Sequence, residues 1–120
     1  MVIVKGSIPV KESQQRQALE LVESLARASR EEPGCLAYEV YQQAFAPQMI
    51  VVWQQWRSLD ALERHFDSAH VDAFIDAIPE LIDGDVETQR FDVISEDGEL
   101  LDDDLPAFPK VLLAGDITVH

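Results

Sequence analysis

Cys35-Leu36-Ala37-Tyr38-Glu39-Val40-Tyr41-Gln42-Gln43 and Met49-Ile50-Val51-Val52-Trp53-Gln54-Gln55-Trp56 are the two runs that decide the fold of this chain. In the first, Leu36, Tyr38 and Val40 face one way and Cys35, Ala37, Glu39 and Tyr41 the other, the period of a strand. The second has apolar residues at both parities, so a strand here is covered on both faces. Ala44 to Gln48, with Pro47, is expected to make the turn that pairs them as an antiparallel hairpin.

Upstream, Glu31-Glu32-Pro33-Gly34 stops a helix, because Pro33 biases its predecessor away from helix and Gly34 frees the turn. That helix is marked by Ala18, Leu21, Val22, Leu25 and Ala28 at spacings of three and four. Glu12 or Ser13 is expected to cap its start, and Arg27 and Arg30 suit the dipole at its end. Val2 to Ile8 is rich in β-branched residues and reads as the first strand. Downstream, Ser58 caps a helix with Leu62, His65, Phe66 and Ala69 on one face. Asp67-Ser68-Ala69 reads as a break with a new cap at Ser68. A short helix follows, with Val71, Phe74, Ile75 and Ile78, and Pro79 ends it. Gly84 to Ile94 is the last core strand.

The order strand, helix, strand, strand, helix, strand predicts an α+β fold of the ferredoxin-like, split βαβ kind. Its antiparallel sheet carries helices on one face, and its other, apolar face predicts a homodimer. The expected division is a domain over 1–94 and an acidic extension over 95–120. Ser95 to Asp104 holds six acidic residues and no basic one, as a solvated connector does, and Val111 to Val119 is apolar enough for an added strand.

With 120 residues the chain suits one domain that needs no disulfide or metal to fold. A formal charge of −14, from 23 Asp and Glu against 9 Lys and Arg, argues against nucleic acid or an anionic membrane as partner. One cysteine excludes an internal disulfide and a Cys-based zinc site. The first residues lack the long apolar run of a secretory signal, and no run approaches a membrane span, so the cytoplasm is the expected location.

The stretch Glu32-Pro33-Gly34-Cys35-Leu36-Ala37-Tyr38-Glu39-Val40, followed by Trp56-Arg57-Ser58-Leu59-Asp60-Ala61-Leu62-Glu63-Arg64-His65-Phe66-Asp67-Ser68-Ala69-His70, resembles the antibiotic biosynthesis monooxygenase family. The resemblance extends over residues 1–94 and is specific for fold rather than chemistry. It implies a homodimer of the ferredoxin-like kind. Several members oxygenate phenols, anthrones or quinols with O₂ and no metal or flavin; others degrade haem or isomerise small metabolites. In the anthrone oxygenases a Trp at the end of the third strand lies beside the substrate, and Trp56 matches it. The Asn and Tyr those members also use are Val52 and Leu62 here. In haem-degrading members the ligating His falls where Ile75 stands and an Asn is essential. This chain has no Asn, so haem chemistry is not implied.

These residues point to a monooxygenase acting on a small aromatic with O₂ and no cofactor. His65 is the expected catalytic base, since an imidazole titrates near neutrality and removing a phenolic proton makes an anion able to reduce O₂. Trp56, Tyr38 and Phe66 are the expected substrate-binding residues. The alternatives are a small-ligand-binding or structural dimer, or an isomerase using the same pocket. No metal site is expected: His65 and His70, five apart, point about 140° from each other on an unbroken helix. Glu39 and Arg90 are expected to pair with each other or a second subunit, or to stand exposed. Cys35 reads as a small buried hydrophobe.

Overall fold

The computed structural model describes residues 1–93. The expectations for Ser95 to Asp104 and Val111 to Val119 lie outside them. The chain runs β1 (Val2–Pro9), a 3₁₀ turn (Glu12–Gln14), α1 (Gln15–Arg30), β2 (Cys35–Gln43), β3 (Ala46–Trp56), α2 (Leu59–Phe66), α3 (Ala69–Ala77), a second 3₁₀ turn (Ile78–Glu80) and β4 (Glu87–Asp92). The four strands form one antiparallel sheet in the order β2-β3-β1-β4. The helices lie on one face, the ferredoxin-like arrangement expected from the element order.

The main core follows from alternation on the central strands. Val2, Val4 and Ile8 of β1 and Ile50, Val52 and Trp56 of β3 turn their side chains under the helices. The α1 stripe of Ala18, Val22, Leu25 and Ala26 meets them, as do Ala61, Leu62 and Val71 from α2 and α3. Ile3, of opposite parity, joins Met1 and Val93 in a smaller cluster on the other face, with Trp53 and Phe91 packed against it.

Three local expectations are corrected. The hairpin turn is the two residues Ala44 and Phe45, with Phe45 at φ 65°, and β3 already includes Pro47. Pro47 is tolerated because the β2–β3 register shifts between Gln42 and Gln43, so its missing N–H falls in a bulge. A second shift between Cys35 and Ala37 turns Cys35 onto the core and leaves Leu36 exposed, reversing their expected sides. The start of α1 has no side-chain cap from Glu12 or Ser13, because a 3₁₀ turn over Glu12–Gln14 leads into it.

Candidate functional site

Two serines divide the second helical region. Ser58 Oγ accepts from Ala61 N at 3.2 Å and opens α2. Ser68 Oγ accepts from Val71 N at 3.4 Å and opens α3. The Ser68 hydroxyl also donates to the His65 carbonyl at 2.6 Å, and its backbone N–H reaches the same oxygen at 3.0 Å. The helix therefore breaks after Phe66, and the rotation between His65 and His70 is not that of a continuous helix.

The turn after α1 closes onto this break. Gly34 adopts φ +88°, and a Cβ there would stand 2.6 Å from Ala61 Cβ, so only glycine lets the turn approach α2 this closely. Arg57 N–H donates to Gly34 O at 2.8 Å and holds the approach. Glu32 is thereby carried to the histidines: its Oε2 lies 2.7 Å from His65 Nδ1 and 2.6 Å from His70 Nε2. The expectation that the two histidines stand apart is overturned: the helix break lets them approach, and Glu32, which the sequence reading passed over, bridges them.

His65 is 2% exposed, and its ring packs 4.6 Å from Trp56, 5.6 Å from Phe66 and 5.7 Å from Tyr38 between centroids. Burial holds its imidazole below the ordinary histidine value, opposed by the hydrogen bond and charge of Glu32. Trp56 is fully buried and Tyr38 nearly so, burial pushing the Tyr38 phenol well up.

An apolar cleft of about 380 Å³ opens between α2 and the β1–β4 side of the sheet. Val4, Leu59, Leu62 and Phe66 give its apolar walls, and Gln54, Glu63, Thr88, Gln89 and Arg90 its polar groups. Of the residues expected to bind substrate, Phe66 lines this cleft and Trp56 and Tyr38 do not, nor does the expected base His65. The link is Gln54, whose Oε1 accepts from Trp56 Nε1 at 2.9 Å while its side chain borders the cleft. Gln54 was missed, although a polar residue at the same parity as Ile50, Val52 and Trp56 was its signal. Arg90 pairs with Asp92 at 3.2 Å, and Glu39 accepts from the Tyr41 hydroxyl, so the two do not pair with each other.

A family model described as antibiotic biosynthesis monooxygenase matches residues 1–77. The chain belongs to this family. It is 28% identical over 81 residues to an uncharacterised protein, sll1783, of Synechocystis, covering 68% of this chain and 55% of that protein. It thus spans about half the length of that relative. It is 24% identical over 90 residues to a Bacillus subtilis protein named "Putative monooxygenase YcnE", covering 75% of this chain and 95% of the relative. A crystal structure described as a putative antibiotic biosynthesis monooxygenase from Deinococcus radiodurans superposes with a TM-score of 0.74 at 27% identity, over 78% of this chain and 92% of that one. Among the described residues of this family member, no helix is long and apolar enough to cross a membrane.

Proposed function

We propose that this family member oxygenates a small electron-rich aromatic, a phenol, anthrone or quinol, in the cleft beside α2, using O₂ without a metal or organic cofactor in the chemical step. The observation that carries the reading is the cleft's composition: aliphatic and aromatic walls suited to a flat ring, with the Gln54 amide and the Arg90 guanidinium at its border. Both groups donate, and Arg90, though paired with Asp92, is cationic, so close to them the anion of the substrate is favoured over its neutral form, against the Glu63 carboxylate that borders the same cleft. For an anthrone or phenol, the anion passes an electron to O₂, the radicals combine at the ring carbon, and the hydroperoxide loses water. One C–H carbon becomes C=O, one oxygen atom stays on the ring and the other leaves as water.

Trp56 orients Gln54 through their hydrogen bond and backs the cleft from the core. A second reading keeps His65 as the base. The Glu32 carboxylate on Nδ1 would make Nε2 the atom that takes a proton, as in an acid–histidine pair. The reading also includes a homodimer through the sheet face opposite the helices, supported by Met49, Val51 and Trp53 at that parity of β3.

The test is O₂ uptake by protein stripped of metal, offered anthrones, quinols and catechols in turn. Uptake that saturates with one class and disappears in Gln54→Leu supports the reading. Binding without uptake, across all classes, would leave a small-ligand module instead. His65→Ala decides the base: retained activity with an unchanged pH profile assigns ionisation to the cleft donors. A loss of roughly 10²-fold or more on folded protein assigns it to His65.

A further inference from the structure

Three chain segments meet at one point beside the cleft: the turn after α1, the last turn of α2 and the first turn of α3. They bring Glu32 Oε2, His65 Nδ1 and His70 Nε2 within 4.8 Å of one another, with the carboxylate oxygen in hydrogen-bond contact with both rings. Two imidazole nitrogens and one carboxylate oxygen form a borderline donor set. It suits Zn²⁺ and its neighbours and suits Mg²⁺ or Ca²⁺ poorly, since those ions take six or more oxygens. We propose that Glu32, His65 and His70 form a site for one divalent first-row transition metal, Zn²⁺ being the best match, with water completing the tetrahedron on the solvent side.

Access and rigidity are both suitable. The side chains of His70 and Glu32 are 28% and 13% exposed, whereas that of His65 is 2% exposed, so an ion enters past His70 and rests against a fixed inner wall. Ser68 holds the His65 carbonyl by two hydrogen bonds and so locks the helix break that brings the rings together. Metal–ligand bonds of 2.0–2.1 Å at tetrahedral angles separate donor atoms by about 3.3 Å. The two O···N contacts of 2.6 and 2.7 Å must therefore open by under about 1 Å, and the two ring nitrogens, within 4.8 Å of each other, must close by up to about 1.5 Å, which the Glu32 side chain on its turn and the partly exposed His70 can supply.

With the Glu32 carboxylate accepting from both rings, as its two contacts allow, binding would move each ring proton to the other nitrogen, from Nδ1 to Nε2 on His65 and from Nε2 to Nδ1 on His70. A loaded site and a His65 base are therefore exclusive states. None of the three ligands lines the cleft, so the ion acts as a clamp of the α1–β2 turn on α2 and α3; it leaves oxygenation by the cleft donors untouched and would block only a His65 base. The chain's formal charge of −14 favours cation uptake in general, and the test must separate the site from the acidic segment.

The full-length chain, stripped with EDTA, is titrated calorimetrically with Zn²⁺ and with Co²⁺ in physiological salt and excess Mg²⁺. The expected result is one ion per chain at micromolar affinity or tighter, visible Co²⁺ bands of four- or five-coordination, and a raised Tm on loading. His70→Ala, at a partly exposed position and checked for an intact fold by circular dichroism, and Glu32→Gln should each weaken binding at least about 30-fold. Absence of stoichiometric uptake, or equal uptake by wild type and His70→Ala, overturns the proposal.

Discussion

Gln54 shows how much one side chain can decide. On a strand whose inward neighbours are Ile50, Val52 and Trp56, an amide is expensive to bury unless hydrogen-bonded, and its oxygen is satisfied by the Trp56 indole. Gln54→Leu should leave the fold intact but strand the indole N–H, lowering stability by about 1–3 kcal/mol in urea titration. If Gln54 orients substrate, the same change should weaken binding of an aromatic probe by roughly 10-fold, measured by fluorescence quenching. Cys35 gives a pH prediction. Burial, then the nearby Glu32 charge, raises its thiol to about 11. Native protein should therefore alkylate slowly at pH 8, its rate rising about tenfold per pH unit until near 11, whereas unfolded chain levels off near the ordinary thiol value. Because the folded value lies above the unfolded one, stability from this group is present below the unfolded value and is lost as pH climbs from it toward 11. A native rate already level by pH 9 would contradict the half-buried placement, which is less enclosed than the buried hydrophobe read from the sequence. The place of Gln54 was written in its parity with Ile50, Val52 and Trp56, whereas the side taken by Cys35 was not legible, because a bulge reversed it.

At the scale of elements, the turn after α1 and the α2–α3 break act together. Gly34 permits the approach and Ser68 fixes the break, so each controls where Glu32 meets the histidines. Gly34→Ala adds a clash 2.6 Å from Ala61 Cβ to a positive φ, and should cost about 2–3 kcal/mol, read as a lower urea midpoint with unchanged slope. Ser68→Ala removes a cap and should cost about 1 kcal/mol. Ala61→Gly in the Gly34→Ala background relieves the contact but not the backbone strain, so it should recover only part of the loss; full recovery would show that the clash alone matters. These caps were readable from Ser58 and Ser68, since small hydroxyl residues before apolar stripes carry that signal in the chain itself. The meeting of Glu32 with His70, thirty-eight residues away, was not, because sequence spacing holds no information on how a turn folds back.

For the whole molecule, a second copy seated on the sheet face opposite the helices is the largest expectation. Light scattering at micromolar concentration should give twice the 13.5 kDa chain mass. Trp53→Lys, at that parity of β3, should shift the protein toward monomer, because it replaces a large apolar side chain between Lys5 and Glu39 with a charge that an obligate interface of about 2,000 Å² or more would have to desolvate. A wild-type mass near 13.5 kDa would remove the idea. What the chain determined by itself is the order of strands and helices, the caps, and hence the antiparallel sheet with helices on one face. Each of these is local: alternation, helical periodicity, serine caps and proline stops act over a few residues. What only the tertiary structure decided is the cleft between α2 and β4, the orientation of Gln54, and the junction of Glu32, His65 and His70. The junction depends on the close approach at Gly34 and on a helix break, and the cleft on how α2 settles over β1 and β4, offsets that bring side chains distant in sequence toward a common point.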